Sequence, residues 1–397
     1  MANNNENKVL NVPPLRFPEF VDEWEEYMLS DFVERVKRKN KNNLCKLPLT
    51  ISAQYGLVDQ ISFFNKVIAS ENMSNYYLLH KGDFAYNKSY SSEYPWGAIK
   101  RLDRYEQGTL SSLYICFKPY SHVSSDFLTH YFETSKWHQG ISEIAVEGAR
   151  NHGLLNVGIQ DFFETMHCLP QNLLEQEKIA KFLNLIEERI ATQNKIIEDL
   201  KKLKSAIVDK LYSYTNGETY SFRQLFEVVN EKNKKLTYKN VLSASQELGM
   251  IERSDINIDI KFEQESISGY KIVRKGDYIV HLRSFQGGFA FSDRTGICSP
   301  AYTILHPNNL VIYGYLSHFF TSMPFIKSLK LVTYGIRDGR SINVDEWLNM
   351  TVILPTMQEQ THILTIINAI DAKLHNEAKY QSCLFRQKSY LLNTLFI

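Results

Sequence analysis

The chain is 397 residues long, with 44% hydrophobic and 22% charged residues, an ordinary globular composition with room for two or three domains. Its 45 Lys and Arg residues against 44 Asp and Glu residues give a formal net charge of +1, so composition alone gives no support to nucleic-acid binding. The sequence has no run of about 18 apolar residues, and its five cysteines are scattered without CxxC spacing, which disfavours a membrane span, a disulfide framework and a metal site. We therefore expect a cytoplasmic protein without a bound metal.

Along the chain, two blocks of mixed pattern each precede a helical block. Residues 1–14, with the Asn-rich start "MANNNENK", are expected to be a disordered tail. Residues 15–168 and 214–353 contain short aromatic and β-branched runs such as "SSLYICF" and "AYTIL", broken by Gly, Pro and Asn, which are typical of α+β domains. Residues 169–213 and 354–397 each begin with a Leu-Pro step and then have helical periodicity.

The second half of the chain repeats the first. The segment "LPQNLLEQEKIAKFLNLIEERI" from Leu169 corresponds to "LPTMQEQTHILTIINAIDAKL" from Leu354, and "KGDF" from Lys81 corresponds to "KGDY" from Lys275. Between them, "GTLSSLYICFKP" corresponds to "GICSPAYTILHP" in its Gly, Ser, Tyr and Pro positions. A repeat on this scale predicts two related halves, each a mixed domain followed by a long helix.

Both helical blocks carry apolar residues in rows of seven-residue spacing, which is typical of paired helices. Polar residues interrupt the rows at equivalent places, Gln193 with Glu377 and Lys204 with Lys388. The residues predicted to pair the helices are Ile179, Leu183, Ile186, Ile190, Ile197, Leu200, Ile207, Leu211, Ile363, Ile367, Ile370, Leu374, Leu384, Leu391 and Leu395. The alternative is that each helix packs only on its own domain.

Chain connectivity favours an antiparallel pair. A parallel pair would require the second domain to bridge the full helix length, about 50 Å at 1.5 Å per residue. The expected fold class is therefore α+β, with two α/β domains separated by two long antiparallel coiled-coil helices and related by a pseudo-two-fold internal repeat. Two similar domains held at a fixed spacing suit duplex DNA, whose backbone repeats about every 34 to 36 Å, but a protein scaffold fits the same geometry.

The sequence contains no recognisable catalytic motif. The string nearest to an amino-methyltransferase motif is "NVPPL" at Asn11, which has an inserted Val and lacks an aromatic residue. The sequence contains no GxxxxGK[ST] phosphate loop, and histidines such as His80, His130 and His138 have no nucleophile or paired carboxylate in their sequence context. We expect a chain that does no chemistry and has no catalytic residue.

Four pairs of loops carry the residue types that contact DNA, which are cations for phosphates and bidentate donors or acceptors for base edges. The pairs are "ERVKRKNKN" with "NEKNKK", "YNKSYSSEYPWGAIKR" with "VHLRSFQGG", "GARNHG" with "GIRDGR", and "SAQYG" with "SASQELG". The candidate contact residues are Lys37, Arg38, Lys39, Lys234 and Lys235 in the first pair; Lys88, Tyr90, Ser91, Arg101, His281, Arg283, Ser284 and Gln286 in the second; Arg150, Asn151, His152, Arg337, Asp338 and Arg340 in the third; and Gln54 and Gln246 in the fourth.

Each pair of loops also has a structural alternative. The basic run of the first pair is equally consistent with a solvated loop, and Gly97, Gly287 and Gly288 of the second with simple turns. Arg150 and Arg337 of the third pair, which occupy equivalent positions, suit either phosphate anchoring or an internal ion pair. For Gln54 and Gln246 of the fourth pair, capping of a strand end is an alternative to the recognition of adenine.

The segments "LRFPEFVDEWEEYML", "KGDFAYNKS", "GTLSSLY" and "LPQNLLEQEKIAKFL", in this order, resemble the specificity (HsdS) subunit of type I restriction-modification systems. The resemblance covers essentially the whole chain. It implies two target recognition domains, at 15–168 and 214–353, that each read half of an asymmetric split DNA target. It also implies conserved spacer helices, at 169–213 and 354–397, that set the gap and dock two methyltransferase subunits.

The same resemblance implies that endonuclease subunits join for cleavage, and that S-adenosylmethionine, ATP and Mg²⁺ bind to partner subunits and not to this chain. The alternative is a stand-alone DNA-binding regulator or a coiled-coil interaction scaffold without restriction partners.

Overall fold

The computed structural model describes residues 11–89, 94–145, 155–245, 248–255, 264–281, 288–334 and 341–397. The chain divides into two compact units. Unit 1 comprises Met1–Gln193 with Tyr380–Ile397, and unit 2 comprises Asn194–Lys379. Each unit therefore contains one mixed domain together with part of both long helices.

Unit 1 is built from short antiparallel strands with helices packed against them. Its strands are β1 (Glu25–Met28), β2 (Val33–Arg35), β3 (Leu49–Ser52), β4 (Gly56–Asp59), β5 (Tyr77–His80), β6 (Phe84–Asn87), β7 (Ala98–Arg101), β8 (Gln107–Leu110), β9 (Ile115–Pro119) and β10 (Met166–Leu169). Its helices are α1 (Leu29–Phe32), α2 (Gln60–Phe64), α3 (Ser125–Tyr131), α4 (His138–Ile144) and α5 (Ile159–Phe163), followed by the long helix α6 (Leu173–Ser213), which continues into unit 2.

Unit 2 repeats this order of elements. Its strands are β11 (Glu218–Ser221), β12 (Phe226–Val229), β13 (Leu242–Ser245), β14 (Gly249–Glu252), β15 (Lys271–Val273), β16 (Tyr278–Val280), β17 (Phe289–Phe291), β18 (Gly296–Cys298), β19 (Thr303–Pro307), β20 (Thr333–Tyr334), β21 (Ser341–Ile342) and β22 (Thr351–Leu354). Its helices are α7 (Phe222–Leu225), α8 (Tyr315–Phe319), α9 (Met323–Ser328) and α10 (Val344–Asn349), followed by α11 (Met357–Thr394).

The predicted repeat is present in the strand pairing itself. A four-stranded antiparallel sheet has the order β2-β9-β6-β7 in unit 1 and β12-β19-β16-β17 in unit 2. The pairs β3–β4, β5–β8 and β1–β10 recur as β13–β14, β15–β18 and β11–β22. The two halves therefore share one α+β topology, which confirms the predicted fold class.

A buried asparagine amide holds the same turn in both units. The Asn40 amide donates to Cys45 O and accepts from Cys45 N, both at 2.9 Å. The Asn233 amide donates to Tyr238 O at 2.8 Å and accepts from Tyr238 N at 3.2 Å. Because each buried asparagine satisfies two backbone groups of its turn, the repeat extends to individual hydrogen bonds.

The long helices begin later than the sequence predicted. Leu169 and Leu354 are the last residues of β10 and β22, and α6 and α11 start at Leu173 and Met357. The reason is the proline that follows each leucine, since a residue before proline is disfavoured in helical conformation. The predicted boundaries at 169 and 354 were therefore four and three residues early.

Buried glutamines hold both helix starts. The Gln176 side chain donates to Pro170 O at 2.8 Å and accepts from Ser124 N at 2.9 Å. The Gln360 side chain donates to Pro355 O at 3.0 Å and accepts from Ile312 N at 2.9 Å. Each glutamine thus ties the Leu-Pro step to a loop of its own unit, which explains why this residue recurs in both copies.

Within each unit the two long helices pack together, and they run antiparallel. In unit 1, Glu187 bonds Lys388 at 2.7 Å while Arg189, further along α6, bonds Tyr380, earlier on α11, at 3.2 Å. In unit 2, Lys204 bonds Asp371 at 2.5 Å. The predicted antiparallel pairing is confirmed by these contacts inside the units.

The residues predicted to pair the helices are all at least half-buried. Buried residues are Ile179, Leu183, Ile186, Ile190, Ile363, Ile367, Leu384, Leu391 and Leu395, and half-buried residues are Ile197, Leu200, Ile207, Leu211, Ile370 and Leu374. Val208, 4% exposed, was not predicted, although it is more buried than its neighbour Ile207. A straight helix drifts by about 20° per heptad, so four heptads after Ile179 the buried position has moved by nearly one residue.

The predicted disordered tail, 1–14, lies only partly within the described residues. Its described end is packed against the domain, because Asn11 O accepts a hydrogen bond from Trp24 N at 2.8 Å and Pro13 is buried. The predicted disorder therefore does not extend over 11–14.

Candidate nucleic-acid interface

Equivalent loops connect the central strands of the two sheets. Residues 88–97 join β6 to β7, and residues 281–288 join β16 to β17. The loops close on Gly97 (φ +78°) and Gly288 (φ +55°), each immediately before the next strand. A Cβ atom on Gly97 would lie 2.2 Å from Asn87 O, and one on Gly288 would lie 2.7 Å from Ile342 Cδ1. Only glycine fits both positions, so the two predicted turn glycines have a structural role.

In unit 1, three of the predicted loop regions converge. The Tyr94 hydroxyl, in the β6–β7 loop, lies 3.4 Å from Ala53 O at the tip of the β3–β4 hairpin. Leu155 N, at the end of the segment that carries "GARNHG", donates to Lys88 O at 2.9 Å. We call this convergence of the β3–β4 tip, the β6–β7 loop and residue 155 the loop end of unit 1.

Unit 2 brings two of the equivalent regions together. A Cβ atom on Gly288, which ends the β16–β17 loop, would lie 2.7 Å from Ile342 Cδ1, and Ile342 follows the "GIRDGR" segment. The β13–β14 turn packs elsewhere, because a Cβ atom on Gly249 would lie 2.4 Å from Phe291 O, at the end of β17 away from the loop. The loop end of unit 2 therefore comprises the β16–β17 loop and the start of β21.

The predicted residues of the second region do not all belong to the loop ends. Arg101 is at the other end of β7 from the loop, where it pairs with Asp103 at 2.7 Å and Asp126 at 2.6 Å. Its charge is balanced inside the unit, so the predicted DNA contact has no support from its position. Lys88 is at the loop end, half-buried, with Nζ 3.5 Å from Val157 O.

His281 is also at a loop end, and it is half-buried there. Burial lowers the pKa of its imidazole, so the ring is neutral near pH 7. Its Nε2 atom is buried and has no hydrogen-bond partner within the described part of the chain. The other predicted residues of this region lie outside the described residues; they are Tyr90, Ser91, Arg283, Ser284 and Gln286.

The candidates of the third region, Arg150, Asn151, His152, Arg337, Asp338 and Arg340, also lie outside the described residues. Their DNA contacts remain predictions. The flanking residues Leu155 and Ile342 place the described ends of both segments at the loop ends.

In the fourth region, Gln54 is exposed at the tip of the β3–β4 hairpin, and Gln246 lies outside the described residues. The strand registers pair Ser52 with Gly56 and Ser245 with Gly249, so the turns align residue by residue. Gln54 therefore corresponds to position 247 and not to Gln246, as the sequence comparison had suggested.

The basic candidates of the first region are of two kinds. Arg38 pairs with the buried carboxylate of Asp83, and Lys39 donates to Asn75 O at 3.0 Å with its Nζ 3.7 Å from the centre of the Tyr77 ring. These two side chains therefore stabilise the fold. Lys37, Lys234 and Lys235 are exposed, which keeps them available for phosphates.

Sequence reasoning missed one exposed position in each hairpin turn. Tyr55 is 57% exposed and Leu248 is 71% exposed, each directly before the left-handed glycine that ends the turn. The signal in the sequence was the glycine that ends each polar turn, a residue type that readily adopts the left-handed backbone found there.

Three cysteines and two histidines of the described ranges are buried in the cores of the units; they are Cys45, Cys116, Cys298, His130 and His167. Burial raises the pKa of Cys116 and Cys298 to about 12 and that of Cys168 to about 11, so these thiols are protonated at neutral pH. Both ring nitrogens of the buried His167 have partners, Tyr131 Oη at 2.9 Å and Thr165 Oγ1 at 2.8 Å.

Among the described residues, His, Cys, Asp and Glu nowhere form a group of three or more able to hold a metal ion. No helix in the described ranges combines the length and the apolarity that a membrane crossing needs.

Known proteins share both the sequence pattern and the fold. Residues 217–382 match the family described as the type I restriction modification DNA specificity domain. A chain from a structure on complex assembly and conformational transition of the type I R-M system superposes with a TM-score of 0.60 at 14% identity, over 94% of this chain and 97% of that chain. The type I restriction-modification S subunit from M. genitalium superposes with a TM-score of 0.50 at 14% identity, over 97% and 99%. No curated protein matches the chain.

The family match lies in the second copy, residues 217–382, and the likeness to the solved structures shows that the fold is shared over nearly the whole chain. The resemblance expected from the sequence is therefore confirmed in the second copy, and the alternative of a stand-alone regulator or scaffold is not favoured.

Proposed function

We propose that this chain is the DNA-recognition subunit of a type I restriction-modification complex and that each unit reads one half of an asymmetric, split target. The observation that carries the proposal is a common frame with different loops. The Asn40 and Asn233 turns, the closing glycines and the sheet order recur, whereas the residues on the loops differ. In this proposal the common frame lets each unit bind the DNA backbone in the same way, and the different loop residues let each unit recognise a different base sequence.

The long helices have two further roles in this proposal. Their pairing sets the number of unread base pairs between the half-sites, and their outward faces dock two methyltransferase subunits. In unit 1, Leu174 on α6 is 67% exposed and Leu185 is 51% exposed, while Phe385 on α11 is 49% exposed. Exposed apolar side chains on a helix whose opposite face is buried are typical of a second packing surface.

Chemistry resides on the partners in this account. The chain itself is a non-catalytic subunit that holds no cofactor. S-adenosylmethionine binds to the methyltransferase subunits, and ATP and Mg²⁺ act with the endonuclease subunits that complete the complex. The near-neutral net charge of +1 fits a subunit that supplies local DNA contacts while the assembly supplies most of the phosphate neutralisation. Because the proposed target is host DNA, we also propose that the chain acts in the cytoplasm.

The test is to map methylated adenines across the host genome with and without the gene. We expect one split, asymmetric motif that loses its methylation when the gene is deleted and regains it on complementation. The purified chain alone should transfer no methyl group from S-adenosylmethionine to DNA. An unchanged methylation pattern in the deletion strain, or methyl transfer by the pure chain, would overturn the proposal.

A further inference from the structure

Helix α3 of unit 1 is attached to the long helix α6 near both of its ends. At its start, Ser124 N donates to the Gln176 side chain at 2.9 Å. In its last turn, the His130 side chain is 1% exposed and its Nε2 atom lies 2.8 Å from Asn184 Oδ1. Gln176 and Asn184 are about two helical turns apart on α6, so the two bonds together fix the direction of α3 along the long helix.

The same histidine lies against the ion pair that joins the two long helices. Its Nδ1 atom is buried 3.8 Å from Glu187 Oε1 and has no hydrogen-bond partner among the described residues. Glu187 in turn bonds Lys388 Nζ on α11 at 2.7 Å. Burial lowers the pKa of His130, so the ring is neutral near pH 7. One side chain of the domain is thus placed at the contact between α6 and α11.

The arrangement recurs in unit 2. His318 follows His130 by 188 residues, the offset that also relates the start of β19 to the start of β9. It is half-buried in α8, where the charges of Lys204 and Asp371, the interhelical ion pair of unit 2, act on its imidazole. The loop before α8 is tied to α11 by Gln360. Both attachments of the domain to its long helices are therefore repeated.

Helix α3 also connects to the part of unit 1 that is proposed to read DNA. It follows β9, an inner strand of the sheet β2-β9-β6-β7, and the neighbouring strand β6 leads into the β6–β7 loop. The attachment of α3 to α6 therefore sets the direction of the loop end relative to the helix. One more base pair in a gap moves the next half-site by about 3.4 Å and turns it by about 34°. A firmly attached domain accepts one gap length, whereas a domain free to tilt accepts neighbouring lengths.

We propose that His130 is a positioning residue that holds the domain of unit 1 on the helix pair and thereby restricts the complex to one gap length, and that His318 has the same role in unit 2. In this role the side chain contacts no base and acts only through the direction of the loop end. The inference rests on the proposed function, in which the helix pair sets the gap.

The experiment uses the reconstituted methyltransferase complex with the full chain, after the methylated motif has been mapped. Duplexes carry both half-sites with the mapped gap, or with one base pair more or fewer, and the methylation rate is measured on each. His130→Leu removes the bond to Asn184, whereas His130→Gln places an amide nitrogen near the position of Nε2. Leu79→Ala is the control, because Leu79 is buried in a hydrophobic cluster of unit 1 that contains no residue of the long helices.

The wild-type complex should methylate the mapped gap in strong preference to its neighbours. His130→Leu should lower this preference about fivefold, the effect of losing one buried hydrogen bond, and His130→Gln should restore most of it. Leu79→Ala should lower thermal stability and leave the preference unchanged. If His130→Leu does not fold, Asn184→Ala removes the same bond from the half-buried partner and should lower the preference in the same way.

A methylation rate that falls by the same factor at every gap length in His130→Leu, or in Asn184→Ala, would overturn the inference, since general destabilisation gives that result. A loss of gap preference in Leu79→Ala would overturn it as well. In both cases a motif still depends on the chain, so these outcomes are distinct from failure of the proposed function, in which no motif does.

Discussion

Lys388 Nζ on α11 lies 2.7 Å from Glu187 Oε1 on α6, and Lys204 on α6 bonds Asp371 on α11 in the same way. The two pairs are related by the internal repeat, since both the lysine and the acid recur 184 residues later, from 204 to 388 and from 187 to 371. The lysines that interrupt the apolar rows are therefore not defects of the helix pairing. They are ion pairs across it, placed equivalently in the two units.

Reversing the charge of one partner in the Glu187–Lys388 ion pair should lower stability more than reversing the charges of both partners together. Glu187→Lys or Lys388→Glu alone places like charges together and should lower stability by about 1 kcal/mol, a modest value because the side chains are 41% and 23% exposed. The double variant should recover most of the loss in thermal unfolding. Lys202→Glu, whose exposed partner Asp199 is 3.8 Å away on the same helix, should change little and serves as the control. If the double variant lost as much stability as the two single variants added together, the ion pair would not contribute to stability.

Neighbouring residues on α6 should respond very differently to truncation. Ile186 is 5% exposed in the core of unit 1, whereas the next residue back, Leu185, is 51% exposed. Ile186→Ala should lower the free energy of unfolding by about 2 to 4 kcal/mol through the lost contacts and the cavity. Leu185→Ala should cost less than about 0.5 kcal/mol in the isolated chain. Equal losses, measured by urea unfolding, would contradict the paired-helix core.

Glu175-Gln176 in the first helix corresponds to Glu359-Gln360 in the second. The stability of the chain should depend on the first glutamate much more than on the second. Glu175 is buried and accepts two hydrogen bonds of 2.7 Å from the Arg16 guanidinium, whereas Glu359 is exposed. Glu175→Gln leaves a mostly buried guanidinium without its carboxylate and should cost about 3 kcal/mol. Glu359→Gln is the matched control and should be nearly neutral. Thermal unfolding of the two variants side by side decides the point, and a loss of equal size in both would refute the assigned role of Arg16.

Acid should destabilise the chain partly through His167. Burial lowers the pKa of this imidazole to about 4, below the unfolded value of about 6.5, so the unfolded state binds the proton first. Its contribution is therefore fully present above pH 6.5 and is lost as the pH falls towards 4. Between about pH 7.5 and about pH 5 the loss should be about 2 kcal/mol.

A variant isolates the contribution of this histidine from the other titrating groups. His167→Gln, which keeps a hydrogen-bonding side chain between Tyr131 and Thr165, should show a smaller decrease in stability over the same pH range. Urea unfolding at the two pH values measures the difference. Parallel pH profiles for the wild type and the variant would mean that His167 is not a source of the acid sensitivity.

The sequence predicted the helices well because their signal is local and repeated. Each heptad row is a periodic pattern within one helix, and the repeat of Leu169 and Leu354 marked both junctions. Val208 was missed because the drift of a straight helix accumulates over several turns. Helix starts were predicted early because the strand residues before each proline could not be distinguished from helix by pattern alone.

The loops were predicted less well because their roles depend on partners far away in the chain. Arg101 has the residue type of a phosphate contact, but Asp126, 25 residues later in the chain, accepts a hydrogen bond from it. Gln54 was compared with Gln246 because the register of short turns is set by strand pairing, which the sequence does not show. For the glycines at 97 and 288 the sequence offered a simple turn as the alternative, and the positive φ at both positions agrees with it.

The central claim is that each unit reads its own half-site and that the paired helices set the gap between the half-sites. A change in the loops of one unit should therefore alter only the half-site that this unit reads. The most direct measurement exchanges the segment from Lys88 to Arg101, which contains the β6–β7 loop of unit 1, for the matching segment of a relative with another target. The methylated motif is then read genome-wide before and after the exchange. We predict a change in one half of the motif, with the other half and the gap intact. A change in both halves at once, or an unchanged motif from an active complex, would contradict the account.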